Sequence, residues 1–352
     1  MTVELFNKNN YVRWKEIFNS FAPKNRTLYH SPDYVLTWEE HENALGLCLY
    51  IKIEKYEFLY PFMKKKICIN GNATDYYDIF SAYGYGGIIS NHCRTKISNN
   101  ILKRLNNCID EWCLQNKVVA EFIREYPTSN DYLRYSTNIL VRKNLLYDYA
   151  QEDSHGVFNI SKRAFRDTST SLKKGCCINV DYNLATLPAF IQLYQEMCER
   201  KKLASSLRFN SLYFNTLKTF LGNHCFIVNV LFNQKIIASS LNFLFDTTIV
   251  YHLSASDYNF RYLLPNDLML LNLLEVGREK NCQSVFWGGG LSNEQNDTLF
   301  LFKKKFSTNI LPMHIGKKLH NVSMYNEFCH TWEQSNIEKS KLYQHFFLKY
   351  HM

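Results

Sequence analysis

The 352-residue chain predicts an α+β protein built on mixed sheets, and three features carry that expectation. Cys225–Phe232 and Lys235–Phe245 are runs of β-branched and aromatic residues parted only by Asn233-Gln234, a gap that suits a hairpin turn. A third such run, Thr247–Ser256, precedes Pro265–Lys280. That segment opens on Pro265, Asn266 and Asp267 and closes on Arg278, Lys280 and Asn281, the start and stop signals of a helix. A short strand, Ser284–Trp287, breaks at Gly288-Gly289-Gly290, and Asp297–Lys305 reads as a second, shorter helix. The length suits one large or two ordinary domains, and we expect two, over 1–150 and 151–352.

In chain order, Thr2–Ser20 is mixed polar and aromatic with a helix near Tyr11–Phe18, and Ser31-Pro32 is a capped helix start. Gly46–Glu54 and Tyr56–Phe62 pair as strands, with Lys64-Lys65-Lys66 following as a solvated edge or turn. Asp75–Gly87 is a loop in which aromatic residues alternate with glycines that permit close backbone approach. Lys96–Asn116 sets Ile97, Ile101, Leu105, Cys108, Ile109 and Trp112 at helical spacing, and Val118–Arg124 is a strand. The first unit then ends near Ser129–Tyr135, with Asn138–Asp148 as a strand pair turning at Lys143-Asn144.

Ser161 caps a helix that ends at Gly175. At 100° per residue Lys162, Arg166 and Lys173 form one basic stripe, flanked by Arg163 and Lys174, while Phe165 and Leu172 are expected to anchor the other side. The stripe is either a solvated face or a phosphate contact, through Arg163 and Arg166. Leu187–Lys201 is a helix with Phe190, Leu193, Tyr194 and Met197 on its apolar side, and Tyr194 is retained as a candidate substrate contact. Tyr213–Gly222 is a further helix, Asn309–Lys318 supplies closing strand, and helix follows from Asn321.

Composition narrows the partners. A formal charge of +9 favours anionic ligands: coenzyme A, nucleotide-sugars, lipid-linked phosphates or tRNA. The 11 cysteines contain no C-x-x-C pair, the N-terminus MTVELFNKNN is polar, and Leu268–Val276 is too short to cross a bilayer; a cytoplasmic protein is expected. There is no Gly-x-Ser-x-Gly, H-E-x-x-H or P-loop, so nucleophilic, zinc-hydrolytic and NTP-hydrolysing readings find no support and no metal is expected. Direct acyl transfer to an amine needs none of these: it needs two substrates held together, a proton route, and donors at the developing oxyanion.

A strand ending Tyr251-His252-Leu253-Ser254-Ala255-Ser256, a long helix, Phe286-Trp287-Gly288-Gly289-Gly290, then Phe302-Lys303 and Phe306, resembles the FemABX-like branch of the acyl-CoA N-acyltransferase (GNAT) superfamily. That resemblance implies two tandem GNAT-like domains, the second catalytic. It implies transfer either of an acyl group, acetyl foremost, from a CoA thioester to an amine such as an amino sugar of a surface polysaccharide, or of an aminoacyl group from tRNA. A degenerate domain that only binds a glycan or partner is the third reading. The resemblance places Lys303 at the transfer site, although Lys303-Lys304-Lys305 also reads as a surface run. It likens Tyr83-Gly84-Tyr85-Gly86-Gly87 to a substrate loop, nominating Tyr83, Tyr85 and Asp78. Tyr251 and His252 end a central strand, and by alternation only one of them faces the site. Asp267 is a substrate contact or merely a helix cap. Asp257–Leu264, ahead of the long helix, has no glycine, which argues against the usual pyrophosphate grip on CoA.

Overall fold

The computed structural model describes residues 1–127, 134–135, 138–152, 156–203 and 207–352. Its contacts divide the chain into two compact units, Met1–Val141 with Met313–Met352, and Arg142–Pro312. The sequence reading set the division at 150 and left 313–352 with the second unit. Part of the proposed boundary, 129–133, lies outside the described residues.

In the first unit the elements are β1 (Thr2–Phe6), α1 (Tyr11–Ser20), α2 (Pro32–Thr37), α3 (Glu39–Glu42), β2 (Leu45–Ile53), β3 (Tyr56–Ile69), β4 (Asn72–Phe80), β5 (Ile89–Ser90), α4 (Asn99–Gln115) and β6 (Val118–Arg124). Strands β1 to β4 pair antiparallel in sequence order, and α4 then crosses over so that β6 lies parallel to β4. Ile101, Leu105 and Ile109 of α4 pack on Ile51, Phe58, Tyr60 and Phe62, each buried side chain contributing about 1.5–3 kcal/mol.

Next come β7 (Asn138–Asp148) and, in the second unit, α5 (Lys162–Lys173), β8 (Cys177–Asp181), α6 (Leu187–Arg200), α7 (Ser211–Leu221), β9 (Cys225–Phe232), β10 (Lys235–Phe245), β11 (Thr248–Ser256), α8 (Pro265–Glu279), β12 (Ser284–Gly289) and α9 (Thr298–Lys304). The same order recurs here. β8 to β11 are antiparallel neighbours, α8 crosses over, and β12 pairs parallel with β11. Leu268, Met269, Leu273 and Leu274 of α8 are buried against Val228, Ile249, Val285 and Trp287. Finally β13 (Asn309–Leu319) leads to α10 (Val322–Ser335) and α11 (Ile337–Leu342). From Ile315 onward β13 pairs with β6, and Phe328 and Trp332 of α10 cover Ile67, Ile69 and Val119, which is why the C-terminal segment belongs to the first unit.

Several local expectations change. Thr2–Phe6 is a strand paired with β2. β3 runs through Lys64-Lys65-Lys66 to Ile69, because Met63–Lys66 pairs with Tyr77–Phe80. The first half of Asp75–Gly87 is therefore strand rather than loop. β7 is one continuous strand, paired with β12 from Asn144 to Asp148, not a pair turning at Lys143-Asn144. Phe165 and Leu172 do not anchor α5: they stay exposed, while Ala164, Asp167, Thr168 and Ser171 form its buried face. On the helical wheel both apolar residues lie beside the basic stripe, not opposite it.

Candidate active site at an open strand pair

Strands β11 and β12 pair only from Thr248 to Val250, opposite Ser284 to Phe286. Beyond that β11 continues beside β10, whereas β12 follows β7 with a register shift between Phe286 and Gly288. Gly288 sits at φ +69°, a conformation that only glycine adopts without strain. A wedge opens between the strands at Tyr251 and Trp287. The matching pair in the first unit stays shut. There the Ser81 and Gly86 amides donate to the carbonyls of Phe122 (3.2 Å) and Arg124 (2.7 Å), carrying the pairing past the end of β4.

Lys303 is placed at this wedge by α9, which Asp297 caps through the Phe300 amide at 2.7 Å. Only 7% of Lys303 is exposed. Its Nζ donates to the carbonyls of Trp287 (2.8 Å) and Gly289 (2.9 Å), on either side of the left-handed Gly288 of β12. The ammonium thus stands where the N–H groups of a paired strand would be. It lies 5.3 Å from the Tyr251 ring, which in turn meets Trp287 edge-on. Burial lowers the Lys303 pKa to about 8, against the Asp297 carboxylate, which raises it. Two of the three N–H donors are engaged by those carbonyls, leaving one for an incoming oxygen. Burial pushes the Tyr251 phenol up to about 12, and its hydroxyl donates to Ser254 Oγ.

His252 is not part of this group. Its Nε2 lies 2.6 Å from the Tyr213 hydroxyl of α7 and its ring 4.8 Å from Phe243, while burial lowers its pKa to about 3. Tyr251 and His252 therefore serve two different surfaces of β11, as alternation predicts.

Asp267, in the first turn of α8, is buried and bonded to Lys305 Nζ rather than acting as the cap. Burial raises its pKa despite Lys305. Lys305 also reaches Asp167 of α5 at 3.2 Å, and Arg163 and Arg166, both exposed, meet the same carboxylate at 3.4 Å. One lysine thus ties the end of α9 to α5 and α8. Tyr194 is in the apolar core: its hydroxyl donates to the Leu207 carbonyl at 2.6 Å and its ring stacks on Phe190 and Phe209.

In the first unit, Tyr83 stacks on Trp38, Tyr85 packs edge-on against Tyr29 and Tyr126, and Asp78 accepts from the Ala120 amide and meets His351 at 2.9 Å. All three are engaged in holding Ser81–Gly87 and the C-terminal segment in place.

Two residues escaped the sequence reading. Asp297 accepts from the Leu291 and Ser292 amides at 2.7 and 2.6 Å, pinning the loop after β12, and a Cβ on Gly290 would come within 2.6 Å of that carboxylate. Its signal was an Asp directly before a helix. Lys305 was hidden in a run of three lysines, of which Lys304 alone is exposed.

Among the described residues, Cys113, Glu121 and His320 come close enough to hold a metal ion. Glu121 is already paired with the Arg134 guanidinium and bonded by Tyr60, Tyr135 and His320, so a second cation would have to displace the first.

Residues 162–296 match the family described as Acetyltransferase (GNAT) domain. Among solved structures the chain is similar to the crystal structure of FemX, at 14% identity and a TM-score of 0.70 over 93% of this chain and 99% of that one. It is also similar to a conserved protein of unknown function from Bacteroides thetaiotaomicron VPI-5482, at 9% identity and a TM-score of 0.57 over 90% and 99%. No curated protein sequence matches the chain. At such identities the structural likeness speaks to the fold; the chemistry rests on the domain match. Residues 162–296 thus match a GNAT acetyltransferase domain, and the chain as a whole shares the fold of FemX.

Proposed function

We propose that the second unit transfers an acyl group, acetyl foremost, from a CoA thioester to an amine at the wedge between β11 and β12. The buried Lys303 ammonium, braced by two carbonyls with one donor free, carries this reading. The amine lone pair attacks the thioester carbonyl carbon, the C–S bond breaks, and the developing oxyanion accepts from Lys303 Nζ. Tyr251, kept protonated by burial, passes the amine proton to the leaving sulfur. His252 holds β11 in place through Tyr213 and does not touch the reacting atoms. Arg163 and Arg166, exposed on α5, are the proposed contacts for substrate phosphates, and an amino sugar of a surface polysaccharide is the proposed acceptor.

A specific observation favours a second donor, aminoacyl-tRNA. The first turn of α8 has Pro265 without an N–H, and a buried Asp267 carboxylate bonded to Lys305, so a pyrophosphate meets no free helix start there. Acetyl-CoA is expected to raise the melting temperature and to be consumed with an amino-sugar acceptor. Lys303→Ala should lower kcat about 100- to 1,000-fold without unfolding the protein. Turnover with charged tRNA alone selects the second donor, and turnover with neither removes the catalytic reading.

A further inference from the structure

We propose that α5, with the turn over Tyr258–Leu263, is a surface on which the protein settles against an anionic lipid bilayer. The segment 162–174 carries five basic residues and one acid, Asp167. That acid is buried and shared by Lys305, Arg163 and Arg166, so no carboxylate stands on the exposed arc of the helix. Phe165 and Leu172, seven residues apart and hence on one edge of the helix, are 40% and 52% exposed beside Lys162 and Lys173.

The patch continues past the helix end. Lys174 Nζ donates to the Tyr262 carbonyl at 2.8 Å, joining α5 to the turn, where Tyr258 and Tyr262 are 53% and 57% exposed. Arg261 lies 4.1 Å from the Tyr258 ring. Large apolar side chains, tyrosines with polar tips and a cationic rim on one face are what the headgroup boundary of an anionic membrane accommodates. Each Lys or Arg near such a surface adds attraction, and the apolar pair adds burial that charge alone does not provide. RNA would use the cations and the tyrosines, but Leu172 offers nothing to a base or a phosphate.

The test is sedimentation of the full chain with vesicles of phosphatidylcholine, alone or mixed with phosphatidylglycerol, at physiological salt. Binding is expected only to the mixed vesicles. It should fall roughly tenfold or more in Phe165→Ser/Leu172→Ser, and similarly in Lys162→Gln/Lys173→Gln, with melting temperatures unchanged because these side chains are exposed. Three outcomes would overturn the proposal: no binding to mixed vesicles, wild-type binding by the Phe165/Leu172 variant, or tighter retention of a structured RNA than of the vesicles. The readout is binding, so failed catalysis leaves it untouched.

Discussion

At the scale of single residues, the proposed reaction turns on Lys303. A lysine pressed to a pKa of about 8 is charged below that pH and neutral above it. The ammonium stabilises a developing oxyanion far better than the neutral amine does, so on the proposed reading kcat/KM should decline as pH rises through about 8. Lys303→Arg, whose guanidinium stays charged, should react more slowly but lose that alkaline limb. An unaltered limb in Lys303→Arg would assign the titration to another group. The sequence nominates Lys303 only through the family pattern around Phe302-Lys303. Its three-lysine context argued equally for a surface run, and nothing local foretells that Lys303 turns to Trp287 and Gly289 while Lys304 faces water. The distinction is set by where α9 packs, which depends on β12 and Asp297.

At the scale of elements, the hairpin β9–β10, the helix α8 and the strand β12 follow closely from local pattern, because turn chemistry, caps and periodicity all agree there. The misreadings share a cause. β1, the far half of β3 and the strand half of Asp75–Gly87 owe their conformation to partners distant in sequence, and a run such as Lys64-Lys65-Lys66 is polar enough to look like a turn. The loop after β12 is held by one carboxylate that Gly290 just admits. Gly290→Ala should displace Asp297, cost about 0.5–2 kcal/mol of stability through the weakened cap, and lower kcat/KM at least about tenfold by moving α9. Parallel thermal melts and kinetics separate the two effects. Wild-type kinetics in a folded Gly290→Ala protein would show that the loop does not position Lys303.

At the scale of the whole molecule, the twofold use of one strand–helix–strand order was legible, but the chain's return to its first unit was not. Residues 313–352 carry no local mark of membership; β13 and α10 join that unit because β6 and β3 leave a sheet edge and an apolar face to cover. The first unit also holds a buried ion pair, Arg134 with Glu121, whose carboxyl is held below its usual range by that guanidinium and by His320, against the upward pull of burial. Arg134→Met leaves the carboxylate unpaired and should cost about 3–5 kcal/mol. Urea unfolding should show the loss in one of two transitions, and a single shifted transition would mean that the units unfold as one.

The shut strand pair of the first unit has a consequence for stoichiometry. Backbone amides of Ser81 and Gly86 already occupy the seam that the second unit leaves ajar, so the proposed function assigns one reaction chamber to the duplicated architecture rather than two. On the proposed reading, each polypeptide turns over a single acyl group at a time, and the sealed copy is free to be shaped by other demands.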